Sequence, residues 1–180
     1  MKAKSATKTA APIPHGAPST DHQASAQAAP SAFKLILVPV DFSDCSLHAL
    51  NYAAILARKL GAKLILLHVL EPSIHTDNYL TDSATMDQSN GTLIAAARAQ
   101  LGKLTHRTTT QGLVAEALVR MGRAQSDIAD TANATGADLI VMGALGSGGH
   151  NQPLLGGTAE RVLRHSPCPV LTVPYPVGIS

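Results

Sequence analysis

Short apolar runs alternate with amphipathic stretches over most of this chain. The runs are rich in Leu, Ile and Val and predict five buried strands, at 33–40, 63–70, 113–120, 138–142 and 168–174. Between them, apolar residues at three- and four-residue spacing predict four helices, at 44–60, 92–105, 124–135 and 158–165. Residues 71–90 are polar and rich in turn formers, and we interpret them as a loop. The alternation predicts an α/β fold, with five parallel strands and helices on both faces of the sheet.

Cap residues mark the ends of the predicted helices. Ser43 or Asp44 offers an oxygen that can cap the first helix, and Gly61 and Gly136 follow the first and third. Pro167 stops the last one. In the first two helices, the positions expected to face the sheet are Leu47, Leu50, Ala54, Leu60, Leu93, Ala96, Ala97 and Leu101.

Residues 1–32 differ in composition from the rest of the chain. They are rich in Ala, Pro, Ser and Thr, with Met1 and Ile13 as the only larger apolar residues, so burial cannot offset the entropy of ordering them. We predict a disordered tail at 1–32, one domain at 33–176 and a short tail at 177–180. The first segment lacks the apolar core of a secretory signal and the arginines of a transit peptide, so we expect a cytoplasmic protein.

Composition and charge narrow the classes of partner. The chain has 180 residues, 45% of them hydrophobic and 14% charged, and a formal net charge of +2. Three lysines and one acid lie in residues 1–32, which leaves 11 basic and 11 acidic side chains in the rest. A neutral domain does not indicate a nucleic-acid partner, and no apolar run is long enough to span a membrane. We expect neither nucleic acid nor a membrane as a partner.

The cysteines and histidines show no spacing that indicates chemistry. Cys45 and Cys168 form no C-x-x-C pair, which favours buried, reduced thiols. The histidines lack metal-ligand spacing, and no Ser/His/Asp arrangement can be argued from the sequence. We therefore name no catalytic residue and no metal ligand.

A glycine-rich segment follows the fourth predicted strand and precedes the last helix. Its six glycines are Gly143, Gly146, Gly148, Gly149, Gly156 and Gly157. Glycine lets backbone N–H groups approach a ligand, and a helix N-terminus carries unpaired N–H groups and partial positive charge, so the segment is suited to phosphate. The alternative is a surface loop whose glycines only make turns. The segment contains no lysine and follows a late strand, unlike a P-loop or a dinucleotide fingerprint.

The spacing of three of these glycines resembles the pattern of a known protein family. Gly143, Gly146 and Gly156 fit G-x2-G-x9-G, and the sequence TAERVLRHSPCPVL follows at 158–171. With ILVPVDFS at 36–43 and GADLIVMG at 136–143, the chain resembles the universal stress protein family over about residues 33–175. The resemblance implies a three-layer fold like that of the adenine nucleotide alpha hydrolases, with strand order 3-2-1-4-5.

This strand order brings two parts of the sequence together. Asp41 ends the first strand and Gly143 ends the fourth, and ligands of open α/β sheets bind at carboxyl ends where the winding reverses. Two interpretations of Asp41 remain: its carboxylate accepts hydrogen bonds from ribose hydroxyls, or it caps the following helix. The resemblance implies an adenine-nucleotide site formed by Pro39, Val40, Asp41, Val69, Met142, Gly143, Gly146, Ser147, Gly156, Gly157 and Thr158. ATP, AMP or ADP would be the ligand, with Mg²⁺ as an accompanying ion.

The sequence departs from the family pattern at two positions. Gly157 stands where the family has Ser or Thr, and Ser147 where it often has a basic residue. No Lys or Arg occurs between Arg123 and Arg161, so we expect weakened binding or a tilt toward AMP or ADP. The resemblance implies a stress-response module that acts through partner proteins and a homodimer joined by the last strand. The alternative is a nucleotide-free dimeric interaction module. Slow ATP hydrolysis also stays open, although no general base can be named.

Overall fold

The structure is a computed structural model of the chain, and it describes residues 33–72, 83–146 and 155–174. The predicted tails at 1–32 and 177–180 lie outside the described residues, as does Ser147. The described residues form five strands and four helices that alternate along the chain. The predicted α/β class is therefore confirmed.

All strand pairs in the sheet are parallel, and the spatial order is β3-β2-β1-β4-β5. The strands are β1 (Leu35–Pro39), β2 (Lys63–Leu70), β3 (Ala115–Met121), β4 (Leu139–Gly143) and β5 (Val170–Val173). This is the order that the resemblance implied. The chain winds one way from β1 to β3 and the other way from β4 to β5, so the winding reverses between β1 and β4.

The helices cover both faces of the sheet and make a three-layer domain. They are α1 (Asp44–Leu60), α2 (Ser83–Thr110), α3 (Ala124–Thr135) and α4 (Gly157–His165). Side chains of α1 and α2 pack with Ile36 and Val38 on one face, and those of α3 and α4 pack with Leu37 and Ile140 on the other. Within the described residues, no helix combines the length and apolarity that a membrane span would require.

Local chemistry sets the ends of α1. Ser43 has an extended backbone and its hydroxyl accepts a hydrogen bond from the Ser46 N–H, so Ser43, and not Asp44, is the N-cap. Gly61 ends the helix in the left-handed conformation, with φ of 67°. Its N–H donates to the Ala57 carbonyl oxygen, as is usual for a glycine that terminates a helix.

The second helix differs most from its prediction. It begins at Ser83, inside the segment 71–90 that was predicted to be a loop, and continues to Thr110 instead of ending near residue 105. Buried Ala97 and Leu101 anchor it, and extending a formed helix costs little, so it continues through a segment without apolar periodicity. At its other end, four threonine hydroxyls donate to carbonyl oxygens of the preceding turn.

Several predicted details of the core and the strands are wrong. Leu60, Leu93 and Ala96 are exposed, because each lies on the solvent side of its helix. The third strand begins two residues later than predicted, and the fifth is shorter, at Val170–Val173. Proline residues flank the fifth strand at 169 and 174 and lack the N–H that a strand ladder uses.

Two glycine-to-alanine substitutions should have opposite effects on stability. Gly136→Ala forces a side chain into the left-handed conformation, φ 67°, and should lower the free energy of unfolding by about 1 kcal/mol. Gly102→Ala, inside α2, should raise it by about 0.5 kcal/mol through helix propensity. A methyl group at either position meets no atom within 4 Å, so only the backbone conformation differs. Urea unfolding measures both, and equal effects would contradict the explanation.

Candidate functional site

A cleft of about 590 Å³ opens at the carboxyl ends of the strands, where the winding reverses. Its walls come from the ends of β1, β2 and β4, the segment after β4, and the first turns of α3 and α4. This volume lies within the range of small-molecule sites in proteins. The position is the one at which open α/β sheets bind ligands.

The structure brings the sequence-predicted site residues together around this cleft. The ten that it describes all line the cleft: Pro39, Val40, Asp41, Val69, Met142, Gly143, Gly146, Gly156, Gly157 and Thr158. The eleventh, Ser147, lies outside the described residues. Residues more than 100 positions apart in the sequence therefore share one concave surface, as the strand order requires.

Asp41 holds the turn between β1 and α1. Its Oδ1 accepts hydrogen bonds from the Ser43 N–H at 3.1 Å and the Ser43 hydroxyl at 2.5 Å. Asp41 is therefore not the cap of α1, because Ser43 caps the helix and Asp41 positions Ser43. Its other oxygen, Oδ2, lies 3.3 Å from the place where a Cβ of Gly146 would be. The carboxylate thus adjoins the glycine segment directly.

The residues around Asp41 are fixed by an unusual turn. Phe42 has φ of 65°, a conformation that costs energy for a non-glycine residue. Its ring packs on that of His68, with centroids 4.6 Å apart, and His68 Nδ1 is 2.7 Å from the Val40 carbonyl oxygen. The Val40 N–H donates to the Leu67 carbonyl oxygen at 2.8 Å. Both backbone groups of Val40 are engaged within the protein, so Val40 offers a ligand mainly apolar surface.

Gly143 and Gly146 are needed for space and not for a left-handed backbone. None of Gly143, Gly146, Gly156 and Gly157 has a positive φ. A Cβ at Gly143 would lie 2.9 Å from Cys45 Sγ, closer than real Cβ atoms approach, and 3.1 Å from the Cys45 carbonyl carbon, which is an unusually tight contact. Gly143 therefore lets α1 pack directly on β4, while at Gly146 the missing Cβ leaves room beside the Asp41 carboxylate.

The amino end of α4 forms another part of the cleft wall. Gly156 is its N-cap, and because glycine has no side chain, no side-chain oxygen caps the first turn. The Gly156 N–H donates to the Ala144 carbonyl oxygen at 2.8 Å, which joins the helix start to the end of β4. A Cβ at Gly157 meets no atom within 4 Å. The N–H groups of this turn give the end of the cleft the character of an anion site.

Sequence reasoning missed part of the cleft lining. Besides His68, the missed lining includes Glu71, Ala124 and Gln125. The Glu71 Oε1 accepts a hydrogen bond from the Ala124 N–H at 2.9 Å, and so caps α3 from another part of the chain. The sequence feature that could have identified Glu71 as a cleft residue is its position directly after β2, at the same sheet edge as Asp41.

The charge of the cleft is unusual for a phosphate site. Its described lining contains the carboxylates of Asp41 and Glu71 and no Lys or Arg. Residues 147–154, which follow Gly146 in the sequence, contain no Lys or Arg either. Backbone N–H groups at the start of α4 are therefore the main favourable groups for an anion, and repulsion should grow with the negative charge of the ligand.

Neither cysteine has the environment of a reactive thiol. Both are free, as predicted, with Cys45 buried and Cys168 half-buried. Burial raises the pKa of the Cys168 thiol, while its hydrogen bond with Ser166 acts in the opposite direction, so the thiol stays protonated at neutral pH. Among the described residues, no group of three or more His, Cys, Asp or Glu side chains is placed to hold a metal ion.

The fold and the cleft define a doubly wound α/β protein with a ligand crevice at its switch point. Residues 32–174 match the sequence profile described as the universal stress protein family. The universal stress protein Sll1654 of Synechocystis sp. is 33% identical over 142 residues, which cover 79% of this chain and 86% of that protein. The chain belongs to the universal stress protein family.

Solved structures give the same fold. The universal stress protein UspA from Lactobacillus plantarum has a TM-score of 0.71 and 26% identity, covering 79% of this chain and 99% of that chain. A universal stress protein solved in complex with cAMP has a TM-score of 0.60 and 27% identity, covering 80% of this chain and 98% of that chain. Both likenesses extend over the domain that contains the cleft.

The different roles of two glycines can be tested by stability measurements. Gly143→Ala should lower the free energy of unfolding by about 1–3 kcal/mol, because the methyl group overpacks the contact between β4 and Cys45. Gly157→Ala is the matched control: its methyl group meets open space at the first position of a helix, so stability should change by less than about 1 kcal/mol. Urea unfolding curves measure both variants. Similar losses in the two would contradict the packing role of Gly143.

Proposed function

We propose that this protein is an adenine-nucleotide-binding module of the stress response that acts through a homodimer and partner proteins. The observation that carries the proposal is the shared cleft. Asp41, the segment from Gly143 to Gly146 and the uncapped start of α4 lie around one space at the switch point of the sheet. The neighbour solved with cAMP supports an adenine nucleotide as the ligand. We infer a cytoplasmic location from the sequence alone, and it stays a prediction.

The parts of the cleft match the parts of a nucleotide in order. The start of α4 provides N–H groups for phosphate, and Asp41, next to it at the end of β1, provides a carboxylate for ribose hydroxyls. Val69, near the end of β2, supplies apolar surface for the base. In this arrangement Asp41 binds ribose through one oxygen while Oδ1 holds Ser43.

Electrostatics favour a nucleotide of low charge. The described lining carries two carboxylates and no Lys or Arg, so each added phosphate increases repulsion that no side-chain cation offsets. AMP, or a cyclic monophosphate, is therefore the preferred ligand. ATP would bind more weakly unless Mg²⁺ neutralised part of its charge, and we propose no dedicated catalytic residue for its hydrolysis.

Calorimetric titration of the nucleotide-stripped full-length protein tests the site. We expect saturable binding of AMP, and weaker binding of ATP when Mg²⁺ is left out. Asp41→Ala should weaken AMP binding by about 10–100-fold, because it removes a charged hydrogen-bond acceptor. Gly146→Val should do the same, since its side chain occupies the space beside the Asp41 carboxylate.

Asp130→Ala is the control for Asp41→Ala. Asp130 is an exposed acid on α3 that does not line the cleft, so the substitution removes the same charge and should leave AMP affinity unchanged. No binding of any adenine nucleotide to the folded protein would overturn the proposal. That result would favour the alternative, a dimeric interaction module with an empty cleft.

We also propose that the homodimer forms through β5. This strand lies at the edge of the sheet, and its outer residue Leu171 is 39% exposed. Leu163 of α4 is also exposed at 44%. An edge strand with exposed apolar side chains is normally covered or paired. Prolines on both sides limit the ladder to the four residues of β5, so side chains must contribute much of the contact.

A charge placed on this strand should separate the subunits. Leu171→Asp should convert the dimer to a monomer, because the carboxylate would be buried without a partner. Leu93→Asp is the control, since Leu93 is 55% exposed on α2 and does not lie on β5. Sedimentation equilibrium measures the mass of each variant. A dimer that persists in Leu171→Asp would place the interface elsewhere.

A further inference from the structure

We propose that β3 is a second interface between copies of this chain, at which two β3 strands pair in antiparallel orientation. β3 (Ala115–Met121) lies at the edge of the sheet opposite β5, so this interface is distinct from the one proposed for the homodimer. β3 has seven residues and no proline, whereas β5 has four residues. A long edge strand offers its backbone hydrogen bonds to another strand. The inference does not depend on the nucleotide site.

Alternate residues of β3 direct their backbone groups away from the sheet. The residues on either side of the strand bond to β2: the Val114 carbonyl oxygen accepts from the Leu64 N–H, and the Gly122 N–H donates to the Leu70 carbonyl oxygen, both at 2.9 Å. Backbone direction alternates along a strand, so the even-numbered residues of β3 also face β2 and the odd-numbered residues face outward. The outward residues are Ala115, Ala117, Val119 and Met121. Within the described part of the chain, no hydrogen bond joins this outer side to another element.

These outward residues pair completely in one antiparallel register. A two-fold axis at Leu118 places Ala115 opposite Met121, and Ala117 opposite Val119, of the second copy. Each is a hydrogen-bonded pair, so all four outward residues of both copies gain a partner. An axis at Ala117 would leave Met121 without a partner in the strand, and an axis at Val119 would leave Ala115 without one. The axis at Leu118 therefore makes the most backbone hydrogen bonds.

The same register brings the two charged side chains of β3 together. Glu116 lies two residues before Leu118 and Arg120 two residues after it, so each stands opposite the other across the axis. They form non-hydrogen-bonded pairs, in which cross-strand side chains are closest. Glu116 is exposed, and Arg120 Nε is buried with no hydrogen-bond partner among the described residues. Neither side chain makes an ion pair within those residues, so pairing supplies a partner for both.

Charged side chains on an edge strand can also serve to prevent pairing. That explanation requires a charge to meet a like charge or no counterpart when a second strand approaches. In β3 the two charges are opposite in sign and symmetric about Leu118, so an antiparallel copy joins them. Lysine, the residue most often used to block an edge, is absent from this strand.

Sedimentation equilibrium of the full-length Leu171→Asp variant tests the interface, because β5 is then disabled. We expect a monomer that dimerises with a dissociation constant of about 100 µM, as suits a contact made mainly by one strand. Adding Glu116→Arg or Arg120→Glu alone should weaken this dimer at least about tenfold, since like charges then meet. Combining the two substitutions should restore it, because the charges are exchanged and not removed. A monomer at every concentration, unchanged association in the single variants, or no recovery in the combined variant would overturn the proposal.

Cysteine cross-linking measures the register in otherwise wild-type protein. A mixture of Glu116→Cys and Arg120→Cys proteins should form a disulfide-linked dimer, whereas neither protein alone should, because position 116 lies opposite position 120 and not opposite itself. Wild type, with its free Cys45 and Cys168, is the control for the native thiols. Equal cross-linking in the separate proteins and in the mixture would contradict the register. If Leu171→Asp left the mass of wild type unchanged, the proposed β5 dimer would fail, and the charge variants would still report on β3.

Discussion

The burial of β1 and β4 on both faces is the constraint on which the rest of the structure depends. Leu37, Val38, Ile140 and Val141 have no exposed surface, and their side chains point alternately into the two helix layers. Because both faces need cover, the chain winds in opposite directions from this central pair. The connections after β1 and β4, which contain α1 and α4, then leave on opposite faces of the sheet. A crevice remains between them at the carboxyl ends of the strands. The position of the cleft is therefore a consequence of how the core is buried.

Residues proposed to bind the ligand at the carboxyl edge of the sheet also hold the fold together. Gly143 ends β4 and lets α1 approach closely enough for Cys45 to reach the Val173 carbonyl oxygen, at 3.6 Å from its Sγ. The start of α1 is held by Ser43, which Asp41 positions. The carboxylate proposed to bind ribose is thus also part of the local structure. The cleft wall is preorganised because its groups already hold the fold together.

The two ends of the cleft differ in chemical character. One end presents the N–H groups at the start of α4, and the other presents a carboxylate that caps α3. The two ends of the proposed site therefore offer different partners, backbone donors at α4 and a carboxylate acceptor at Glu71. The described lining carries no Lys or Arg, so the backbone dipoles at the start of α4 are its main groups that favour a small anionic charge.

The sequence by itself determined the α/β class, eight of the nine elements within a few residues, and the residues that meet at the switch point. These follow from apolar periodicity, glycine spacing and family resemblance, all of which can be recognised in the linear sequence. It failed at α2, whose first part has no apolar period, and at Leu60 and Leu93, which lie on the solvent side of their helices. Only the tertiary structure decided why Gly143 is needed, that His68 faces Phe42, and that Glu71 caps α3. The reason is physical: each is a contact between elements distant in sequence, and such contacts exist only once the sheet has brought those elements together.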